Sequence, residues 1–295
     1  MKLTSLFNHF FNSEKTGGFI LIICTLVSIL LANSSLQNSY TAFWQTSFSG
    51  HSITHWINDG LMAIFFLLIG LELEREIYIG ELSEFKNALL PIIAALGGVI
   101  VPAAIYLSLN YGTLTQPGAG IPMATDIAFA IGVLSLLGKK VPLSLKIFLT
   151  ALAVIDDLLA IMVIAIFYSS GVSLGYLGAA LGIWIVLFIC QRFKVYNLIP
   201  YIIGGIAMWY CMLHSGIHAT IAGVMLAFCI PFGVGDTKSI SYLLQKWLHK
   251  PVAFFILPLF ALANTAIVFE NNWADGLYSN EGLGIFFGLD AYRNK

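Results

Sequence analysis

Apolar runs that suit membrane-crossing helices return nine times along this chain. They lie at roughly residues 18–33, 59–78, 88–109, 121–138, 144–168, 174–191, 197–213, 216–231 and 250–269. A helix that spans a bilayer needs about 20 predominantly apolar residues, and no open chain satisfies its backbone polar groups in lipid except as a helix. Hydrophobic residues make up 59% of the chain and charged residues 10%, where a soluble domain carries about a quarter charged. The pattern predicts an all-α polytopic membrane protein of about nine complete transmembrane helices. It excludes a soluble domain held by a single anchor.

The placement of charge tests this threading. With the N-terminus in the cytoplasm and nine spans threaded, Lys2, Lys15, Arg75, Lys86, Lys139, Lys140, Lys146, Arg192, Lys194, Lys238, Lys246 and Lys250 all fall at cytoplasmic ends. The outer loops then carry none, as the positive-inside rule requires. One missed or extra span would scatter these charges. The net charge of −1 gives no reason to expect a nucleic-acid partner.

The ends and connections read as follows. In residues 1–17, Leu3, Leu6, Phe7, Phe10 and Phe11 share one helical face, which predicts a helix lying in the membrane interface. No A-x-A site follows the first apolar run, so that run is expected to be a retained span rather than a cleaved signal. Residues 34–58 form the longest outer connection and are expected to hold a small hairpin. Residues 281–289, E-G-L-G-I-F-F-G-L, begin like a further span and give way to Asp290–Lys295. Residues 18–289 thus read as the transmembrane domain and 290–295 as a divergent tail, with the chain expected to be cut inside a membrane segment. The four cysteines, Cys24, Cys190, Cys211 and Cys229, lie in or at the ends of apolar runs, and none forms a C-x-x-C pair. They are expected to be free and to pack as small apolar residues.

Chemistry enters at A-V-I-D-D-L-L-A, residues 153–160. An aspartate at the centre of a span costs about 2.5–3.5 kcal/mol on the insertion scale. Ser, Thr or Asn would glue helices more cheaply, so Asp156 and Asp157 are expected to face a polar path for ions or protons. Adjacent carboxylates in a low-dielectric site do not both ionise freely, and they titrate as a coupled pair. Their oxygens hold either protons or a small hard cation. Competition at one site, open to each side in turn, is sufficient for antiport. A third carboxylate, Asp126, lies in I-P-M-A-T-D-I-A-F-A-I-G-V, residues 121–133, beside Thr125. The hydroxyl and carbonyl of Thr125 are candidate cation ligands. The plainer alternative is that Asp126 caps a helix end.

These stretches carry a resemblance. A-T-D-I-A-F-A-I-G-V-L-S-L-L-G and A-L-A-V-I-D-D-L-L-A-I closely resemble the NhaA-type sodium/proton antiporters. So do N-D-G-L-M-A-I-F-F-L-L-I-G-L-E-L-E-R-E at 58–76, H-S-G-I-H-A-T-I-A-G-V at 214–224 and L-P-L-F-A-L-A-N-T-A at 257–266. The resemblance covers the chain to about residue 289. It implies an NhaA-like fold with a discontinuous fourth helix, no cofactor, and Na+ (or Li+) and H+ as transported ions. Asp156 and Asp157 match the family's ion- and proton-binding pair, and Thr125 and Asp126 the unwound stretch of the broken helix. Glu72, Arg75 and Glu76 match charged positions at the cytoplasmic mouth associated with pH response. His218 matches a histidine that influences pH dependence, and Asp59 a position at the start of the second span. Members sit in the bacterial inner membrane and are pH-activated, electrogenic and often dimeric. The family is itself one of the transporters behind the rule that inverted repeats bind ions at the bilayer midplane between broken helices.

The family has twelve spans, so the resemblance also implies that the second inverted repeat is largely missing here, with a lysine that pairs with the first aspartate of D-D. Two outcomes are expected: an incomplete antiporter, or a non-transporting remnant of one. Gln245 stands near where some relatives carry an acidic residue.

Weaker signals take plainer readings. His214 and His218, like His51 and His55, are spaced i, i+4 without a third ligand near, so neither pair is expected to bind metal. The G-V-G-D at 233–236 resembles an intramembrane aspartyl-protease motif, but Asp236 falls in a polar loop and the chain is not expected to be an enzyme. The tryptophans are expected to be interfacial anchors, and the small residues of G-A-A-L-G, 178–182, to permit close helix packing.

Overall fold

Most of the apolar runs fold as helices among the residues described. The computed structural model describes residues 14–123, 171–233, 239–269 and 278–293, with residues 148, 149, 152, 155, 156, 159, 160, 162 and 163 of the D-D segment. Four of its helices are long and apolar enough to cross a membrane, and a fifth crossing results if a pair bent by 116° is one span. The N-terminal interfacial helix, most of the fourth span and Asp236 lie outside the described residues. The chain divides into two compact units, residues 1–75 with 171–268, and residues 76–170 with 269–295.

The first unit starts with α1, Glu14–Ala32, and α2, Gln37–Gln45. A two-stranded antiparallel hairpin follows, β1 (Ser47–Phe48) against β2 (His51–Ser52). Its turn places Ser49 and Gly50 at φ 54° and 89°, the left-handed conformation that a tight hairpin needs. This is the hairpin expected within 34–58. Next comes α3, Ile53–Tyr78, whose Trp56–Leu61 turn is π-helical. Its last residues, from Glu76 on, belong to the second unit.

The first unit continues with α5 (Leu174–Arg192), α6 (Ile199–Leu213), α7 (Ile221–Ala227) and α8 (Ile240–Asn264), numbered to leave α4 for the second unit. The run 216–231 was expected to span, but its helix covers only the seven residues of α7. Five of these seven are buried. The run is apolar all round because α7 sits inside the unit, a case that hydropathy alone does not separate from a span. Helix α8 starts ten residues before the expected 250. Ser239 caps it, accepting from the Tyr242 amide at 3.3 Å, and a π-helical turn at Val252–Ile256 carries it past Pro251.

Glycine sets the closest approach. A Cβ on Gly223 of α7 would overlap the Ala63 carbonyl oxygen and the Leu67 amide of α3, and one on Gly70 would lie 2.6 Å from the Ala227 Cβ. Gly178 and Gly182, where close packing was expected, meet nothing within 4 Å among the described residues. They share one face of α5 at i, i+4, and Ala180, at 0% exposure, faces the core instead. The indoles of Trp184 and Trp209 donate to the carbonyls of Met225 and Asp59, so these two tie elements together. Trp247, at 70% exposure, keeps the position of an anchor.

In the second unit, α4, Phe85–Asn110, packs along α9, Asn280–Arg293, and a 3₁₀ segment, Gln116–Met123. Asn110 is fully buried. Its amide donates to the Tyr106 and Asn280 carbonyls at 3.1 and 2.9 Å, and its oxygen accepts from Thr115 Oγ1 at 2.7 Å. Gly284 and Gly288 turn α9 onto this surface, against Tyr106 and Asn110 and against Pro122. The helix runs through the expected tail to Arg293.

Candidate functional site

Each candidate residue takes its setting from the helix that carries it. Asp156 is helical and 4% exposed, beside Ile155 at 7%. Its partner Asp157, and Thr125 and Asp126, lie outside the described residues.

Asp59 lies in the π-helical turn of α3. Its Oδ2 stands 3.1 Å from Nδ1 of His55, and its carbonyl accepts from the Trp209 indole at 2.6 Å. Helical π turns recur at functional positions. His51 stacks on His55 with ring centroids 4.2 Å apart. Among the described residues no group of three or more His, Cys, Asp or Glu is arranged to hold a metal ion. His218 is exposed, in the turn that leads into α7. His214 packs between the rings of Tyr176 and Tyr210.

The charged end of α3 shows what its sequence hides. Leu68, Leu71 and Glu74, spaced by three, are 4%, 0% and 0% exposed. Glu72, Arg75 and Glu76 are half-buried. The cap at Ser239 aims Ser241, Gln245 and Leu248 of α8 into the unit at helical spacing, and all three are buried. There the Ser241 hydroxyl donates to Glu74 Oε2 at 3.3 Å, and Arg75 Nη1 donates to Gln245 Oε1 at 3.5 Å. Glu74 Oε1 has no hydrogen-bond partner among the described residues. At the other end of the same helix pair, Asn58 and Asn264 exchange amide hydrogen bonds of 3.0 and 2.8 Å. Glu74, Ser241, Asn58 and Asn264 went unnoticed in the sequence. The signal for Glu74 was present, because it falls on the apolar face three residues after Leu71.

Residues 8–291 match the family model described as Na+/H+ antiporter 1. The chain belongs to the NhaA-type Na+/H+ antiporter family. Its NhaA relatives include the Na(+)/H(+) antiporter NhaA 1 of Flavobacterium johnsoniae, 66% identical over 98% of this chain and 76% of the relative. The NhaA of Cytophaga hutchinsonii is 65% identical over 98% and 75% of the two chains. That of Dechloromonas aromatica is 59% identical, again over 98% and 75%. NhaA membership makes the chain a multi-pass membrane transporter rather than an enzyme. It also bears out the resemblance carried by the five motifs.

Proposed function

We propose that this chain exchanges Na+ (or Li+) for H+ across the bacterial inner membrane, with Asp156 and Asp157 as the shared site. The observation that carries the assignment is the burial of Asp156, 4% exposed, inside an apolar run. An ionisable residue in such a run is a functional group before it is a structural one. A carboxylate oxygen takes a proton or ligates a hard cation, so occupancy by one excludes the other. Asp126 and Thr125 take a supporting role at this site, as the family resemblance implies. Glu72, Arg75, Glu76 and His218 adjust the response to pH, and Asp59 supports the start of its span. If two protons exchange for one sodium ion, each cycle moves net charge and the membrane potential drives sodium out. The cytoplasmic N-terminus follows from the lysine and arginine pattern, and dimerisation would use the hairpin between β1 and β2.

The test is flux in proteoliposomes. The chain is expected to move protons when Na+ is added, and Asp156→Asn and Asp157→Asn to abolish that movement. Sodium-dependent proton flux that survives both substitutions would refute the assignment.

A further inference from the structure

An apolar groove in the first unit runs down α3 from the membrane surface. Its volume of about 910 Å³ is that of a site for a small ligand. Along α3 its lining begins at Ile53 and ends at Leu67. At the helical rise this is about 21 Å, longer than the ~15 Å of hydrocarbon in one leaflet. Ile64 of α3 and Ile202 and Ile206 of α6 line the groove and are exposed, so it opens between these two helices. Gly205 and Gly223 line it as well. A Cβ on the first would overlap the Leu226 side chain, and one on the second the Ala63 carbonyl, so these glycines let α6 and α7 close the groove from behind.

The upper wall carries three tryptophans, Trp44 of α2, Trp56 of α3 and Trp209 of α6. Two of them have spent their donors. The Trp56 indole donates to the Phe48 carbonyl at 2.9 Å and the Trp209 indole to that of Asp59 at 2.6 Å. Trp44 is only 6% exposed, and its Nε1 has no hydrogen-bond partner among the described residues. A buried indole N–H ordinarily finds an acceptor and costs stability without one. Helix α2 and the hairpin directly precede the first residue of the α3 span, which sets Trp44 at the membrane surface. That is the depth of lipid headgroups, where amphipathic rings gather.

We propose that the groove binds one acyl chain of a glycerophospholipid from the leaflet on the hairpin side, and that the ester carbonyl of that chain accepts from the Trp44 indole. A single acyl chain is long enough to follow α3 from Ile53 inward, and its ester supplies the one acceptor that the wall lacks. Between Lys15 and Arg75 the chain has no lysine or arginine, so the connection that frames the mouth offers no such cation to a phosphate. The site therefore selects the chain and its ester rather than the charge of the headgroup. The proposal does not rest on ion exchange.

Photolabelling tests it on the full chain in liposomes of phosphatidylethanolamine and phosphatidylglycerol. The probe is phosphatidylethanolamine with a diazirine on one acyl chain, and the adducts are mapped by mass spectrometry. The exposed face of α1, at Phe19, Ile22, Leu26 and Leu30, reports bulk lipid. Adducts on residues 57–67 and 202–209 are expected at about ten times the yield on that face. The phosphatidylglycerol form of the probe is expected to match this within about twofold, because the mouth lacks a lysine or arginine. Ile206→Trp fills the open side and is expected to remove the groove adducts while leaving those on α1. Trp44→Phe keeps a ring without the donor and is expected to lower the groove yield about fivefold. Equal yields on the groove and on α1 would overturn the proposal, since the groove would then hold bulk lipid only. Labelling by the phosphatidylglycerol probe alone would overturn it in favour of an anion site. Groove residues cross-linked to a second copy of the chain, without lipid adducts, would overturn it in favour of an interface. Wild-type labelling by Trp44→Phe would overturn the contact with the ester. The comparison of groove with α1 needs no variant, so it decides the proposal even where a variant fails to fold.

Discussion

The Ser241 hydroxyl donates to Glu74 Oε2 at 3.3 Å across 167 residues of sequence, while Oε1 of this buried acid has no hydrogen-bond partner among the described residues. Ser241→Ala removes the donor from Oε2 as well, and leaves neither carboxyl oxygen of Glu74 with a hydrogen bond among the described residues. The expected loss of stability is about 1–3 kcal/mol, read as a lower midpoint of thermal unfolding in detergent. Ser241→Thr keeps the hydroxyl and is expected to lose less.

The crossing of α3 and α7 has no room for a side chain at Gly223. Gly223→Ala drives a methyl group into the Ala63 carbonyl and the Leu67 amide, both backbone atoms of a packed helix. Overpacking of this kind costs about 1–3 kcal/mol. Gly178→Ala meets nothing within 4 Å among the described residues and removes a flexible residue from a helix interior, so it is expected to stabilise by about 0.5–1 kcal/mol. Thermal unfolding of the two variants side by side checks the opposite signs.

In the second unit Asn110 holds the end of α4, the loop after it and the start of α9. Asn110→Ala removes hydrogen bonds to the Asn280 carbonyl and from the Thr115 hydroxyl and leaves a cavity at a fully buried position. The expected cost is about 2–3 kcal/mol. Hydrogen exchange is expected to rise first in residues 111–116 and 280–284.

Trp209 donates to the Asp59 carbonyl at 2.6 Å in the π-helical turn of α3. Trp209→Phe keeps the apolar ring and deletes the donor, with an expected cost of about 1 kcal/mol. Faster exchange of the amides of residues 56–62, measured by mass spectrometry, checks that the loss is local.

Much of the fold was legible because membrane helices write their length in apolar residues. The runs at 88–109 and 174–191 correspond to α4 and α5 within a few residues. The run at 216–231 misled because burial in protein and exposure to lipid select the same side chains. Helix α8 began early because its first half is amphipathic: Ser241, Gln245 and Leu248 face inward while Trp247 faces out, so mean hydropathy there is low. For the site, the pair of adjacent aspartates was plain because charge is rare in such runs. Glu74 was hidden among Glu72, Arg75 and Glu76, where four charges in five residues read as one solvated end. Only helical phase separates it from them. The pairing of Asn58 with Asn264 spans 206 residues and leaves no trace in either local pattern.

The wide turn at Trp56–Leu61 holds one residue more than the α-helical ladder around it can use. A relative one residue shorter within that turn would close the ladder and still present Glu74 to Ser241. Shortened anywhere between Met62 and Glu74, it would swing the acid about 100° aside, out of the serine's reach. The surplus residue lets this turn absorb a change of one residue in the length of α3 while its far end stays in register.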